Sequence, residues 1–329
     1  MATIGTTYTL NDWAKSLDPD GRHARVINLL SQNNEILNDM RYIEGNLPTG
    51  HRTTVETGLP DVYWRLLNQG TPSSKTTEAQ VDISCGMLHA RNTVDKDLAE
   101  LNGNVNEFRA RRANRYIEKM GQEVVQTTFY GNAGVSPEEF TGLAVHYSSL
   151  SAANAQNIIV GGGSGSDNSS IWLVVWNEDT ISHVFPKGSK VGLNHGDLGL
   201  QDAFDSSNNR YRAYMDEWQW KIGLAVMDWR YAVRIPNIDI SALVAKSSAA
   251  DLIELMIKAT HRIPNLQKGR AAFYMNRTCF QMLDIQRRDD VITGGGLMYS
   301  AVDGIMKPSF RGIPVRICDQ LLETEAVVA

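Results

Sequence analysis

The stretch that decides the fold lies at residues 104–132 and reads NVNEFRARRANRYIEKMGQEVVQTTFYGN. Apolar side chains recur there every three or four positions, as on one face of an α-helix. They are Phe108, Ala113, Tyr116, Ile117, Met120, Val124 and Thr128. Asn104 and Glu107 have the spacing of a capping box, and Gly131 can adopt a positive φ. The pattern predicts a helix from Asn104 to Tyr130, about 40 Å long.

The opposite side of this helix is charged. It carries Arg109, Arg111, Arg112, Arg115, Glu118, Lys119, Gln122 and Glu123. A helix of this length exceeds the average of about 11 residues in compact domains. The sequence therefore predicts a long, rigid amphipathic helix whose apolar face packs against another part of the protein.

A long hairpin precedes the helix. Apolar and polar residues alternate over 79–85, and Asp61–Leu67 is predicted to pair with that strand across a turn at 68–77. A two-stranded hairpin by itself is marginally stable in water. We therefore expect this one to gain stability from contact with another element or another chain.

Residues 171–240 have a β-rich pattern. The predicted strands are Ile171–Trp176, Ser182–Phe185, Lys190–Leu193 and Trp218–Val226. At Met227-Asp228 the apolar positions change from even to odd, which predicts a bulge or bend.

The remaining segments predict helices and strands in alternation. These are a helix at Gly21–Tyr42, a helix from Ser248 to His261, a strand at Ala271–Met275, a helix from Asn276 to Arg288 and a strand at Gly312–Cys318. The last four predict a compact α/β subdomain.

The composition of the chain argues against several classes of function. The chain has 329 residues and a net charge of -5, which argues against a strongly basic nucleic-acid binder. Three widely spaced cysteines indicate neither a disulfide framework nor a zinc site. The start lacks a secretory signal, and the longest apolar run, Ile171–Trp176, is too short to span a membrane. We expect a soluble cytoplasmic product.

Few residues suggest a catalytic, phosphate-binding or metal-binding site. The Gly161–Ser166 loop is glycine-rich, but a strand follows it, whereas phosphate-binding loops lead into a helix. His183, His195 and Asp197 could in principle bind a metal, although their spacing matches no metal motif. The sequence predicts no catalytic residue, no metal and no cofactor.

Several motifs together carry a resemblance to a known family. They are Thr53–Pro60, Trp64–Gly70, Val94–Leu98, Thr127–Asn132, Pro137–Leu143, Asp228–Ile235 and Phe310–Val315. In order and spacing they resemble the major capsid proteins of tailed bacteriophages (Caudovirales), which have the Hong Kong 97-like fold. The resemblance covers most of the chain and implies an α+β fold.

That resemblance implies a domain organisation. Residues 1–50 would form an N-terminal arm, 51–97 an extended hairpin loop, and 98–150 the spine helix and the start of a peripheral domain. Residues 151–240 would form a β-rich region with a long sheet arm, and 241–329 an α/β axial domain with a C-terminal strand.

The implied function is self-assembly into hexamers and pentamers of an icosahedral phage head that encloses double-stranded DNA. The expected partners are further copies, a scaffolding protein, a portal and a decoration protein, with loose DNA contact and no membrane. The virion would be assembled in the host cytoplasm. The expected inter-subunit residues are Asp61, Trp64, Arg65, Lys75, Val81, Ile83, Arg109, Arg112, Arg115 and Glu118.

The sequence is also compatible with three alternatives. In some relatives a self-catalysed Lys-Asn cross-link joins subunits, and Lys75 has a suitable position near the hairpin tip. An encapsulin-type compartment shell would have the same fold. A cytosolic enzyme using the Gly161–Ser166 loop or the His183, His195 and Asp197 group belongs to another class.

Overall fold

The computed structural model describes residues 32, 34–101, 104–205, 207–247, 249–289, 297–302 and 305–329. They divide into two compact units. The first unit contains Leu88–Gly121 and Leu193–Trp220. The second unit contains Asn33–Met87, Gln122–Gly192 and Lys221–Ala329.

The described residues contain both helices and strands. The helices are α1 Ile36–Asp39, α2 Lys96–Glu100, α3 Val105–Tyr130, α4 Leu143–His146, α5 Ile240–Ala245, α6 Leu252–Arg262 and α7 Arg277–Asp289. The strands are β1 Tyr42–Glu44, β2 Gly50–Gly58, β3 Thr77–Ser84, β4 Gly86–Asp95, β5 Asn168–Trp176, β6 Ile181–Phe185, β7 Leu193–Phe204, β8 Arg210–Val226, β9 Ala232–Asp239, β10 Arg270–Met275, β11 Leu297–Val302, β12 Ile305–Phe310 and β13 Ile313–Ile317. No described helix is long and apolar enough to cross a membrane.

The long helix α3 confirms the main prediction from sequence. The Asn104 side chain accepts from the backbone N–H of Glu107 at 3.2 Å and donates to the Glu107 carboxylate at 2.9 Å. Gly131 ends the helix for a different reason from the one predicted, because its φ is not positive. A Cβ there would lie 2.4 Å from the carbonyl oxygen of Phe140, so close backbone packing requires the glycine.

A mixed sheet forms the core of the second unit. Its strand order is β11-β12-β13-β10-β5-β6-β8, with β1 beside β6 and β9 beside β5. Ile171, Leu173 and Val175 of β5 belong to one apolar cluster with α6 and α7. Trp172 of the same strand faces Phe129 of α3, with 6.0 Å between ring centroids. Since successive residues of a strand point to opposite faces, both faces of β5 are covered.

A buried ion pair fastens the last residues of the chain to this sheet. Arg234 of β9 donates to Glu325 at 2.7 Å, and both side chains are almost fully buried. Glu325 also accepts from Tyr130 at 2.5 Å and from Ser170. The Arg234 guanidinium lies over the Trp172 ring, 5.2 Å from its centroid. The C-terminal residues are therefore part of the core.

The hairpin exists, but its first strand differs from the prediction. β3 pairs with β2, residues 50–58, and not with Asp61–Leu67, which is outside any strand. Two causes explain the error. Pro60 cannot donate to a ladder, and β2 consists mainly of polar and β-branched residues whose strand preference is not visible as hydrophobicity. The loop between the strands therefore covers residues 59–76.

One prediction in the β-rich region is wrong and another is confirmed in part. Lys190–Leu193 is not a strand, because Gly192 has a positive φ and β7 begins only at Leu193. At Met227-Asp228 the chain bends, as predicted, but it does not continue as one strand. A 3-10 turn at Trp229–Tyr231 separates β8, which pairs with β6, from β9, which pairs with β5.

The starts of three other predicted helices can be compared with the structure. Asn276 caps α7 as predicted, accepting from the Cys279 N–H at 2.7 Å. Helix α6 is capped by Asp251, and the predicted cap Ser248 lies outside the described residues. Most of the predicted Gly21–Tyr42 helix also lies outside them, and the part described contains only the short α1 before Tyr42 begins β1.

The first unit is built around strands β7 and β8. β7 pairs with β8 from Leu193 opposite Trp220 to Phe204 opposite Arg210, and β8 also pairs with β4. Val94, Ala99 and Phe108 form a small buried cluster that is covered by Tyr214. This cluster joins β4, α2 and α3 within the unit.

Candidate assembly surface

The loop at 59–76 carries the largest group of exposed apolar side chains in the described residues. They lie between Leu59 and Leu67, which we call the apolar segment, and are Leu59, Val62, Tyr63, Trp64, Leu66 and Leu67. Trp64 is fully exposed. Contiguous apolar patches of this kind mark interaction sites. The segment is therefore the first candidate for contact with another chain.

Most of the hairpin residues predicted from sequence are accessible. Asp61, Trp64, Arg65 and Lys75 are exposed in the loop, Val81 is exposed on β3, and Ile83 is half-buried. The prediction missed Leu59, Val62, Tyr63, Leu66 and Leu67. The available signal was the run LPDVYWRLL, which is apolar without the period of either a strand or an amphipathic helix.

Polar contacts hold the hairpin in register. Arg52 on β2 donates to Asp82 on β3 at 2.5 and 2.7 Å. This hydrogen-bonded guanidinium holds the pKa of Asp82 below its usual range. Near the other end of the ladder Thr57 donates to the Thr77 carbonyl oxygen at 3.1 Å. The strands can therefore present the loop in a defined position.

The root of the hairpin is fixed to the second unit. The N–H of Cys85 donates to the Thr49 carbonyl oxygen at 3.1 Å. A Cβ on Gly86 would lie 3.0 Å from the Glu138 carbonyl oxygen, so the segment after α3 packs directly against the root. The Pro-Glu-Glu-Phe motif seen in the sequence thus supports the start of β4.

The predicted residues of α3 have different environments. Arg109 is mostly buried and donates to Asp216 at 2.7 Å and to Asp197 at 2.5 Å, both within the first unit. Arg112 lies over the Phe108 ring, and Glu118 is half-buried. Arg115 is exposed. Arg109 therefore has a clear role inside its own chain, whereas Arg115 is available to a partner.

The two members of the predicted metal group in the first unit lie beside Arg109. His195 Nε2 is 3.1 Å from Asp216 Oδ1, and its ring stacks on Trp218 with 5.2 Å between centroids. Asp197 accepts from Arg109, which holds the pKa of Asp197 below its usual range. These carboxylates bind a guanidinium. In the described residues no group of three His, Cys, Asp or Glu side chains could hold a metal ion.

The third member, His183, is fully buried in the second unit. Its ring contacts Trp176, Tyr42 and Phe140, and neither ring nitrogen has a hydrogen-bond partner among the described residues. Because burial penalises the imidazolium, the pKa of His183 falls to about 3. His183 is thus a neutral core residue in an aromatic environment.

Acid is therefore expected to destabilise the fold through His183. The folded-state pKa is below the ordinary value of 6.5, so stability is complete above pH 6.5 and falls as the pH drops from 6.5 towards 3. The loss is about 1.4 kcal/mol per pH unit, or roughly 3 kcal/mol at pH 4.5. Urea unfolding of the purified subunit across this range measures it.

His183→Phe is expected to weaken this pH dependence, since a phenyl ring fits the same aromatic contacts and cannot be protonated. The matched control is His261→Phe, which makes the same substitution at an exposed position outside the core. An unchanged slope in His183→Phe would contradict the assignment.

Two backbone donors of the Gly161–Ser166 loop are bonded within the fold. The N–H of Gly161 donates to the Pro236 carbonyl oxygen at 2.8 Å, and that of Gly163 to Asn237 at 2.7 Å. A Cβ on Gly163 would lie 2.5 Å from Asn168 Oδ1. These glycines allow close packing against β9, and their N–H groups are engaged within the fold and do not face a ligand.

Comparison with known proteins adds independent information. The family model described as "Major capsid protein GP7" matches residues 18–329. A chain of the cryo-EM structure of bacteriophage Epsilon15 is 33% identical and superposes with a TM-score of 0.77, covering 100% of this chain and 99% of that chain. A comparison with curated proteins finds no match.

Other structures show more distant likenesses. The bacteriophage JBD30 capsid superposes with a TM-score of 0.49 at 9% identity, covering 89% of this chain and 92% of that chain. The capsid of the native GTA particle has a TM-score of 0.48 at 9% identity, covering 70% of this chain and 99% of that chain. Both are too dissimilar to decide the assignment. The family model and the Epsilon15 chain are sufficient for this assignment, and the fold is the Hong Kong 97-like α+β fold. The chain belongs to the GP7 family of major capsid proteins, which are components of the icosahedral heads of tailed bacteriophages.

Proposed function

We propose that the chain forms hexamers and pentamers that close into an icosahedral shell around double-stranded DNA. The main support for this proposal is the apolar segment, whose large side chains are exposed to solvent in the single chain. Exposed apolar area of this kind is stabilised when a neighbouring subunit covers it. Many such contacts, each modest, become strong when they are repeated around a shell.

The proposal assigns association and not catalysis to this surface. Asp61, Trp64, Arg65 and Lys75 on the loop, with Val81 and Ile83 on β3, are the proposed hairpin contacts. On α3 we propose Arg112, Arg115 and Glu118 as contacts with a neighbouring subunit. Arg109 holds this helix within the first unit through its ion pair with Asp216. Residues 1–50 act as the arm, 51–97 as the extended loop, 98–150 and 151–240 as the peripheral domain and its sheet arm, and 241–329 as the axial domain.

Further partners follow from the same proposal. A separate scaffolding protein directs closure, a portal occupies one vertex, and a decoration protein covers the outer surface. Assembly takes place in the host cytoplasm. With a net charge of -5, the chain contacts packaged DNA loosely, which suits a genome that must later leave.

Electron microscopy of the purified protein, with sedimentation, tests the proposal. Closed shells or capsomer rings are expected when the chain is expressed with the scaffolding protein. A well-folded 36.5 kDa species that remains monomeric under these conditions would overturn it. The contents of particles from infected cells give a second readout, since DNA is expected inside and a cargo enzyme is not.

A further inference from the structure

A cleft with a volume of about 920 Å³ lies beside the hairpin in the second unit. One of its walls is strand β2 from Thr53 to Gly58, and the opposite wall contains Glu178, Asp179 and the turn at 227–230. The volume is within the range of about 300–1,000 Å³ that is typical of binding sites. The backbone and the charges of these walls indicate the class of partner that the cleft fits.

The outer edge of β2 is open at Thr54 and Glu56. In the described part of the chain β2 pairs only with β3. At Arg52 a side chain closes the other edge, since Asn46 accepts from the Arg52 N–H at 2.7 Å and donates to its carbonyl oxygen at 2.7 Å. Backbone groups two residues apart in a strand point to the same edge, so those of Thr54 and Glu56 also point outward. An edge of this kind can accept an additional extended segment.

Several carboxylates beside this edge have no cationic partner. Glu56 of β2 lies directly opposite Glu78 of β3 in the ladder, where like charges repel each other. Both side chains are exposed, as is Asp179 on the opposite wall, and none of the three forms an ion pair with another described residue. The other carboxylates of the cleft, Glu178 and Asp228, are each paired with an arginine. The edge therefore has excess negative charge, which a cationic partner would neutralise.

The other face of β2 is more apolar. Val55 is half-buried there, and Ile43 and Met227 add half-buried apolar side chains to the lining of the cleft. Successive side chains of an added strand would point alternately towards these residues and towards the face of Glu56. A segment in which apolar and cationic side chains alternate therefore fits both faces.

We propose that the open edge of β2 binds an extended segment of another protein, in which cationic and apolar side chains alternate. The segment adds a strand at Thr54 and Glu56 and places its cations beside Glu56 and Glu78. Its apolar side chains contact Val55 and Met227. A second copy of this edge does not fit, because it would bring another Glu56 towards the same carboxylates.

Synthetic peptides test this assignment on the purified full-length chain before assembly. The labelled peptide VKVKVKV is expected to bind at least about tenfold more tightly than VEVEVEV, because its lysines meet unpaired carboxylates where glutamates would be repelled. Fluorescence anisotropy measures both affinities, and that of VKVKVKV should fall as the salt concentration rises. Equal affinities, or no binding of VKVKVKV, would overturn the proposal.

A backbone variant shows whether the peptide binds as an added strand. Thr54→Pro removes an outward N–H that makes no ladder bond with β3, and proline is tolerated at such edge positions. This variant is expected to bind VKVKVKV about tenfold more weakly or worse, because one backbone donor is lost and the ring obstructs the edge. Thr54→Val keeps the N–H and should bind like the parent chain. Undiminished binding by a folded Thr54→Pro variant would contradict strand addition.

Charge reversal gives an independent test that does not depend on the folding of Thr54→Pro. The double variant Glu56→Lys, Glu78→Lys is expected to bind VEVEVEV more tightly than VKVKVKV. Glu138→Lys changes an exposed carboxylate outside the cleft and the hairpin strands, and should keep the preference of the parent chain. A double variant that still prefers VKVKVKV would show that these carboxylates do not select the partner, and the proposal would be wrong.

Sedimentation of the unassembled chain covers the remaining occupant, a second copy. If the parent chain self-associates and Thr54→Pro does not, a second copy occupies the edge, and the assignment to another protein is wrong. A parent chain and a Thr54→Pro variant that sediment alike support the proposal. Since these measurements use subunits and not shells, a negative result leaves the proposed assembly function in place.

Discussion

Replacing residues 59–76 with an Asn-Gly turn is expected to abolish shell formation while the subunit still folds. Gly58 and Thr77 pair at the end of the β2–β3 ladder, so a two-residue turn can join the strands there. The loop contributes little to its own subunit. Its recorded side-chain hydrogen bonds stay within the loop, as between Ser74 and the Asp61 carbonyl oxygen at 2.9 Å.

The expected effects on folding and on assembly therefore differ. The free energy of unfolding should change by no more than about 0.5 kcal/mol, as for surface substitutions, and the shorter loop closes at a smaller entropic cost. The apolar segment is lost from every subunit, so many contacts disappear from each shell at once. We expect the yield of closed shells, counted by electron microscopy, to fall by at least about a hundredfold.

A second variant separates loop length from loop chemistry. It keeps the full length of the loop and replaces five of its apolar residues, Leu59, Val62, Trp64, Leu66 and Leu67, with serine. The same loss of shells is expected, because the length of the loop is unchanged and only the apolar area is removed. Normal shells from either variant would mean that the loop is not an assembly element.

The sequence predicted a hairpin in this region but misplaced its parts, for a physical reason. Local signals are visible along a chain, and they predicted α3 from its capping box and β5 from its apolar run. β2 was missed because its Thr, Arg, Glu and His residues carry no hydrophobic period. The apolar run after it resembled a strand, although in the structure it is exposed loop.

Contacts between distant residues were the other part that the sequence did not predict. In the sequence Arg109 has the pattern of a solvent-exposed helix residue. In the structure its side chain is mostly buried and donates to Asp216, which is 107 positions away. The residues next to Arg109 in the sequence give no indication of that partner. A cleft of about 920 Å³ likewise combines β2 with Glu178, Asp179 and residues 227–230, more than a hundred positions later, and no local pattern encodes such a combination.

The buried pair of Arg234 and Glu325 is the clearest example, and it leads to the largest expected loss of stability. Glu325→Gln is expected to lower the free energy of unfolding by about 3–5 kcal/mol, the range for removing one partner of a buried ion pair. Arg234 would keep its hydrogen bond to the Tyr147 carbonyl oxygen at 2.9 Å, but its charge would no longer be neutralised. Since domains are stable by only about 5–15 kcal/mol, such a subunit would be close to unfolding.

A matched substitution at the surface shows whether the burial of the pair causes this loss. Glu254 pairs with Lys258 at 2.5 Å, and both side chains are more than half exposed. Glu254→Gln removes the same charge and should change the free energy of unfolding by less than about 1 kcal/mol. Chemical denaturation of the two variants beside the parent chain gives the comparison.

The double variant distinguishes a lost interaction from an unpaired buried charge. If the unpaired guanidinium causes most of the loss, Arg234→Met in the Glu325→Gln background should recover a substantial part of it, because an apolar side chain then fills the site. If the loss came from the missing contacts of Glu325 with Tyr130 and Ser170, removing Arg234 would destabilise the subunit further. Recovery would show that the C-terminal residues are fastened by charge neutralisation in the core, since Glu325 supplies the only carboxylate bonded to Arg234 in the described part of the chain.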